Sequence, residues 1–352
     1  MKIVVAIDGS SYSQAVIEEC ASRLWPPGSE MRLVHVAGPS ENDLVAGLFS
    51  MFEFANDKAD SVSTEEAALE NIALALASRI PGVAVKSERL LGEPVKALLG
   101  YAQAFKANLI VTGTRDSGIW EGFFLGSVSQ GLLEQADCPV LVARNFVRPT
   151  EASRPKQVLI CIDDSVCSGA AVEWLMGQSW LKGCRVCFTS VAEPRPAPGL
   201  TSDSQSEATQ LLTWQAERVF AENLAHEWAV LLQEECLIKE VYSGVVEGDP
   251  AEAIVKVAKN WPADLVLVGS HGKSALAKLV LGSVSQKVSR RVQCSVVVVK
   301  GISSRRYREI RAKVTSDHVL SAILSEQTNA NRRRDSSRGE NTIHVMPTSL
   351  RM

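Results

Sequence analysis

Ala263-Asp-Leu-Val-Leu-Val268 runs into Gly269-Ser-His-Gly272, and nine residues later Gly282-Ser283-Val284-Ser285 opens a segment that closes on Cys294-Ser-Val-Val-Val-Val-Lys300. The first run is apolar and of strand length, and Ser295–Lys300 is β-branched and apolar. Strands buried on both faces of a parallel sheet read this way. Between them, the glycines break the chain and a helical pattern runs from Ser283 to near Cys294. Strand, glycine turn, helix and strand in that order predict an α/β fold.

The glycine spacing suits phosphate and ribose. Glycine at a strand end lets the backbone turn sharply and lets a ligand approach closely. Backbone N–H groups at a turn and at a helix start attract an anion, aided by the helix dipole. The hydroxyls of Ser283 and Ser285 could cap that helix or meet phosphate oxygens. An ordinary strand-to-helix turn with a capped helix explains the same residues without a ligand. A P-loop does not: it needs glycine five residues before Gly272-Lys273, and the chain has Leu267 there.

Gly269-x2-Gly272-x9-Gly282-Ser283 resembles the Gly-x2-Gly-x9-Gly-(Ser/Thr) motif of ATP-binding universal stress proteins, and the match is complete. Asp163 at a strand end and the closing Cys294-Ser-Val-Val-Val-Val run resemble that family too. The resemblance implies a Rossmann-like fold of the adenine nucleotide alpha hydrolase type, with five parallel strands per domain. It implies ATP, with Mg²⁺, as the cofactor. The adenosine part would meet Asp163 and Val191. Ribose and phosphates would meet Val268, Gly269, Gly272, Gly282, Ser283, Val284 and Ser285.

The motif occurs in a duplicated chain. Lys2-Ile-Val-Val-Ala-Ile-Asp8 matches Gln157-Val-Leu-Ile-Cys-Ile-Asp163, and at the same offset Trp25 matches Trp180 and Val36 matches Val191. Gly92-Glu-Pro94 matches Gly248-Asp-Pro250, while Gly113, Gly126-Ser127 and Cys138 match Gly269, Gly282-Ser283 and Cys294, all at an offset one residue longer. Two tandem domains follow, at 1–146 and 157–301, with a linker at 147–156 and a tail at 302–352. Strands are expected near 2–7, 31–36, 83–90, 108–113 and 139–143 of the first copy, with helices between them. Asp8, Val36 and Gly113 would then share one rim of the sheet.

The first copy departs from the motif at its middle glycine, which is Asp116. An anionic side chain there would repel a phosphate at about 4 Å by roughly 1–4 kcal/mol. Ser117 also replaces Lys273. A single competent site is therefore expected in the second copy, with Asp8, Val36, Gly113, Gly126 and Ser127 marking a degenerate first one. The resemblance further implies an internal pseudo-dimer paired through about Pro139–Ala143 and Ser295–Val299, and the possibility of a further homodimer.

Composition narrows the class. The chain has 352 residues, 46% hydrophobic and 22% charged, with net charge −3. That balance suits a globular protein and argues against nucleic acid as the main partner. No stretch is apolar enough to span a bilayer, and the first strand meets Asp8 too soon for a signal peptide, so a cytoplasmic protein is expected. Several of the eight cysteines sit in apolar runs, such as Cys161 in Val-Leu-Ile-Cys-Ile, as small core residues do. Cys184-x-x-Cys187 lacks a second ligand pair, so neither metal nor redox chemistry is expected there.

Two insertions and the tail remain. Leu200–Glu235 promises a long helix whose Trp214 and Trp228 would pack. Ser40–Ser63, with Phe49, Met51, Phe52 and Phe54, reads first as a local core cluster, with a lid over the first site or a partner surface as the alternatives. The tail carries Arg305, Arg306, Arg308, Arg311 and Lys313, could form an amphipathic helix through Ile310, Val314, Leu320 and Ile323, and is expected to be disordered after Glu326. No nucleophile, base and acid come in catalytic order. The expected function is a nucleotide-linked stress-response module acting on a protein partner; slow Mg²⁺-dependent ATP hydrolysis and a nucleotide-free scaffold are the alternatives. A receiver domain is excluded, because the stretch where its phosphorylated aspartate should fall is helical.

Overall fold

A computed structural model describes residues 1–10, 12–37, 61–114, 125–144, 156–196, 204–272, 281–301, 305–327 and 343–346. Asp116, Ser117, Lys273, residues 38–60 and the tail segments 328–342 and 347–352 lie outside the described residues. The chain divides into two compact units. One holds Met1–Ser153, Gly177–Trp180 and Leu276–Lys300; the other holds Arg154–Met176, Leu181–Ala275 and Gly301–Met352.

In the first unit, β1 (Lys2–Ile7), β2 (Glu30–Ala37), β3 (Ala84–Leu91), β4 (Leu109–Gly113) and β5 (Val140–Ala143) pair in parallel in the order 3-2-1-4-5. All five lie within about a residue of their expected positions, because buried parallel strands show as unbroken apolar runs. Helices α1 (Tyr12–Ala21), α2 (Ser61–Arg79), α3 (Pro94–Phe105) and α4 (Ser127–Gln135) alternate with them. Ile3, Met31, Leu33, Leu76, Leu109, Ile110, Leu132 and Leu141 are fully buried and form the core.

The same unit contains the last strand of the second sequence copy. This strand pairs antiparallel with β5, matching Val296 to Val142, Val297 to Leu141 and Val298 to Val140. Each copy also sends a cation to a helix end. Arg144 donates from Nη1 to the carbonyl of Cys294 at 3.3 Å, and from Nη2 to the carbonyl of Ser289 in the last turn of the helix Ser283–Arg291. Lys300, the matching residue one repeat later, donates from Nζ to the carbonyl of Glu134 in the last turn of α4 at 2.7 Å. A cation at a helix C-terminus satisfies orphan carbonyls and complements the dipole. Arg144 N also donates to Ser295 Oγ at 3.2 Å, and Ser295 Oγ donates to Glu19 at 2.8 Å.

In the second unit, β6 (Gln157–Cys161), β7 (Arg185–Ala192), β8 (Glu240–Glu247) and β9 (Leu265–Gly269) repeat the parallel order 8-7-6-9. Between them lie α5 (Val166–Met176), α6 (Ser204–Cys236) and α7 (Pro250–Asn260); α8 (Ser283–Arg291) and β10 (Ser295–Val299) belong to the first unit. In α6, Leu224, Ala225, Trp228, Ala229 and Leu232 are buried at helical spacing, so Trp228 packs as the sequence suggests. Trp214 donates its indole N–H to the carbonyl of Glu193 at 2.8 Å. The tail adds α9 (Arg305–Gln327) and β11 (His344–Val345), which pairs in parallel with the edge of β8. Where the sequence reads as an arginine-rich tail, Tyr307 and Val314 are buried on one face of the helix, two turns apart.

Candidate functional site

The rim residues of the second unit are held by short polar contacts. Extending the registers of β6 with β7 and β9 puts Asp163, just beyond the end of β6, level with Val191 in the last residues of β7 and with Ser270 just beyond β9. Asp163 is half-buried. Its Oδ1 accepts from Ser165 Oγ at 2.5 Å, and its carbonyl accepts from Ser168 Oγ at 2.5 Å. Ser165, not Asp163, caps α5, since its Oγ accepts from the N–H of Ser168 at 3.2 Å. The same hydroxyl lies 3.2 Å from the carbonyl of His271, tying the aspartate turn to the glycine turn. Ser165 is the residue that reasoning from sequence passed over; the Asp-Asp-Ser order before a helix was its only signal.

The two glycines of the turn have different neighbours. A Cβ on Gly269 would lie 2.7 Å from the carbonyl carbon of Cys167 and 2.8 Å from the nitrogen of Ser168. Gly269 is therefore where strand end and α5 meet backbone to backbone. Among the described residues a Cβ on Gly272 would meet only Asp163 Oδ2, at 2.9 Å. Gly272 is exposed and faces the carboxylate. Between them, His271 Nδ1 lies 2.9 Å from Ser270 Oγ, while its Nε2 is buried with no partner among the described residues. Buried polar nitrogens are rarely left so.

Val191 is half-buried at the end of β7, so part of its side chain reaches the rim. Val268 is 3% exposed, and its side chain belongs to the core. Gly282, Ser283, Val284 and Ser285 form the start of α8 in the first unit: Ser283 is exposed, Val284 half-buried and Ser285 buried. Gly282 is the N-cap residue, and no side chain caps this helix. α3 and α7, by contrast, are capped by the carboxylates of Glu93 and Asp249. An uncapped helix start leaves N–H groups facing outward.

The first copy keeps most of this geometry. Gly126 is an equally uncapped N-cap of α4, and Ser127 is exposed like Ser283. Ser129 Oγ donates to the carbonyl of Gly113, at 2.5 Å, holding the end of β4 to the start of α4. Val36 is half-buried at the end of β2. Asp8 accepts from Ser10 N, Ser10 Oγ and Ser13 Oγ at 2.6–3.1 Å. His35 Nδ1 lies 3.1 Å from the carbonyl of Ile7, as a core histidine does. Among the described residues no group of three His, Cys, Asp or Glu side chains could hold a metal ion. Cys187 lies fully buried inside β7, and burial pushes its thiol well above the ordinary range.

These are Rossmann-like α/β units with a carboxylate, a half-buried valine and glycine turns at the carboxyl ends of parallel strands, where proteins of this class take their ligands. The sequence model of the universal stress protein family matches residues 1–144 and again 155–300. The chain belongs to that family and carries its domain twice. It is 28% identical over 301 residues to a universal stress protein of Mycolicibacterium smegmatis, covering 85% of this chain and 96% of the relative. It is 32% identical over 199 residues to one from Mycobacterium tuberculosis, covering 55% and 62%. The crystal structure of a universal stress protein from Archaeoglobus fulgidus shares the fold with a TM-score of 0.55 at 20% identity, covering 85% of this chain and 96% of that one. No helix among the described residues is long and apolar enough to cross a membrane.

Proposed function

We propose that the second sequence copy binds an adenine nucleotide, ATP with Mg²⁺, and that the bound nucleotide regulates contacts with a protein partner in a stress response. The observation that carries this reading is the pairing of Asp163 with Gly272. At Gly272 the absence of a side chain leaves room beside the Asp163 carboxylate, where a ligand's hydroxyl or amino groups would lie. The buried Nε2 of His271 beside it adds a polar atom still to be matched. Gly282-Ser283 completes the glycine motif in the sequence, and the helix that it begins carries no side-chain cap. Without a carboxylate cluster among the described residues, Mg²⁺ would be held chiefly by the phosphates, as is usual for this ion.

The first copy reads as silent, since Asp116 stands at the position of Gly272. The test is the adenine nucleotide released when purified protein is denatured, compared among wild type, Gly272→Asp and Asp116→Gly. About one nucleotide per chain, lost in Gly272→Asp and rising towards two in Asp116→Gly, is the expected result. No nucleotide on purification and none on adding Mg-ATP would refute the reading and leave a scaffold. Turnover of bound ATP, abolished in Gly272→Asp, would convert the regulatory module into a slow ATPase.

A further inference from the structure

Three glycines of the second unit stand where the C-terminal segment packs. A Cβ on Gly169, inside α5, would lie 2.6 Å from the ring of Tyr307. On Gly244, inside β8, it would lie 2.7 Å from the Cβ of Met346. On Gly301 it would strike the side chain of Ala170. Glycine weakens the interior of a helix or strand, so Gly169 and Gly244 each need a reason. The matching positions of the first copy hold Gln14, Glu88 and Asn145. Only the second copy is cleared to receive the tail.

What the tail grips is the residue beside Asp163. Arg311 donates to Asp164 from Nε at 2.7 Å and from Nη2 at 3.0 Å, a two-point ion pair. Tyr307 donates its hydroxyl to the same carboxylate at 3.1 Å. Burial first, and then the Asp164 charge, push the Tyr307 phenol up to about 12. Lys313 and Arg306 fasten the helix to Glu227 and Glu235 of α6 at 2.5 and 2.9 Å. At the far end Met346 is 1% exposed, and its N–H donates to the carbonyl of Ser243 at 2.9 Å.

We infer that the C-terminal segment is a latch on the second unit: α9 holds the Asp163–Ser168 turn through Asp164, and so sets how tightly that turn takes its nucleotide. Tyr307 and Arg311 are positioning residues, and their effect on affinity rests on the nucleotide reading above. Linkage makes the coupling reciprocal, so bound nucleotide also steadies α9.

Hydrogen exchange and Mg-ATP titration on the full chain test this. The variants are Arg311→Ala and Gly169→Ala. The second is informative because alanine favours an isolated helix, so loosening can come only from displaced Tyr307. Without nucleotide, both variants should speed exchange across residues 162–169 about three- to fivefold, the scale of a half-exposed ion pair. Both should weaken Mg-ATP binding by about the same factor, and Mg-ATP should slow exchange in α9 of the wild type. Unchanged exchange in the turn overturns the latch; faster exchange with unchanged affinity overturns the coupling. If wild type binds no Mg-ATP, the nucleotide reading and the coupling both fail, while the ligand-free exchange still decides whether α9 holds the turn.

Discussion

The motif glycines Gly269 and Gly272 should separate when each is changed to alanine. At Gly269 the new methyl meets backbone atoms of Cys167 and Ser168 at 2.7 and 2.8 Å, and neither can rotate away. Relief requires moving α5 off the end of β9, an overpacking of the kind that costs about 1–3 kcal/mol. With a urea slope of roughly 1–3 kcal/mol per molar, the unfolding midpoint should fall by about 1 M. At Gly272 the methyl meets, among the described residues, only the end of the Asp163 side chain, at 2.9 Å, and Gly272 is exposed. The carboxylate can swing aside, so stability should change by no more than about 0.5 kcal/mol. Swinging aside, however, removes the carboxylate from where a ligand would meet it. Mg-ATP affinity should drop about tenfold, or about 1.4 kcal/mol. Gly272→Asp adds a second carboxylate beside the first and should drop it further, by about 1–4 kcal/mol of like-charge repulsion. Urea denaturation followed by tryptophan fluorescence, with titration calorimetry of the same samples, reads both quantities. A Gly269→Ala protein as stable as wild type, or a Gly272→Ala protein that loses stability and keeps full affinity, would refute the division of labour.

Two other outcomes follow from the first unit. Arg144→Met removes donors from the buried carbonyls of Ser289 and Cys294 and should cost about 2–3 kcal/mol, against about 1 kcal/mol for Lys300→Met, whose half-buried ammonium is given one such bond; chemical denaturation ranks the two. Glu18 accepts both guanidinium nitrogens of Arg79 at 2.7 Å, and that hydrogen bonding holds its carboxyl below the ordinary 4.5. A carboxyl depressed in the folded state stabilises above its unfolded pKa and loses that stabilisation as pH falls through its folded value. Arg79→Met should therefore be less stable than wild type at pH 7 by under about 1 kcal/mol, both partners being near half exposed. The gap should close on acidification below 4.5, and a gap that persists at low pH would show that lost packing, not charge, causes it.

The strands were legible because a buried parallel strand needs little but unbroken β-branched and apolar residues, and Lys2–Ile7 or Ser295–Val299 contain almost nothing else. The rim was legible because the duplication set Asp8 beside Asp163 and Gly113 beside Gly269 in the alignment. Partners distant in sequence were not legible. Nothing local in Gly169 says that Tyr307 will lie against it, and nothing in Arg144 says that its guanidinium will end a helix begun at Ser283. Spacing also conceals which glycine lies against backbone and which faces a carboxylate, since Gly269 and Gly272 look alike until their neighbours are known.

Comparison of the two copies recovers part of what one copy hides. A glycine kept in both, such as Gly113 with Gly269, answers a demand that both folds make, here the joining of a strand end to a helix. A glycine present in one copy alone answers a demand that only that copy meets. On the proposed function Gly272 against Asp116 would answer a ligand, while Gly169 and Gly244 against Gln14 and Glu88 answer the packing of the tail. These asymmetries fall on the same copy, and Gly169, Gly272 and Gly301 lie around the same turn and the helix that follows it. A duplicated chain that reserved nucleotide binding for one half would gain control of it by anchoring a regulatory tail on that half, and it is there that α9 meets Asp164.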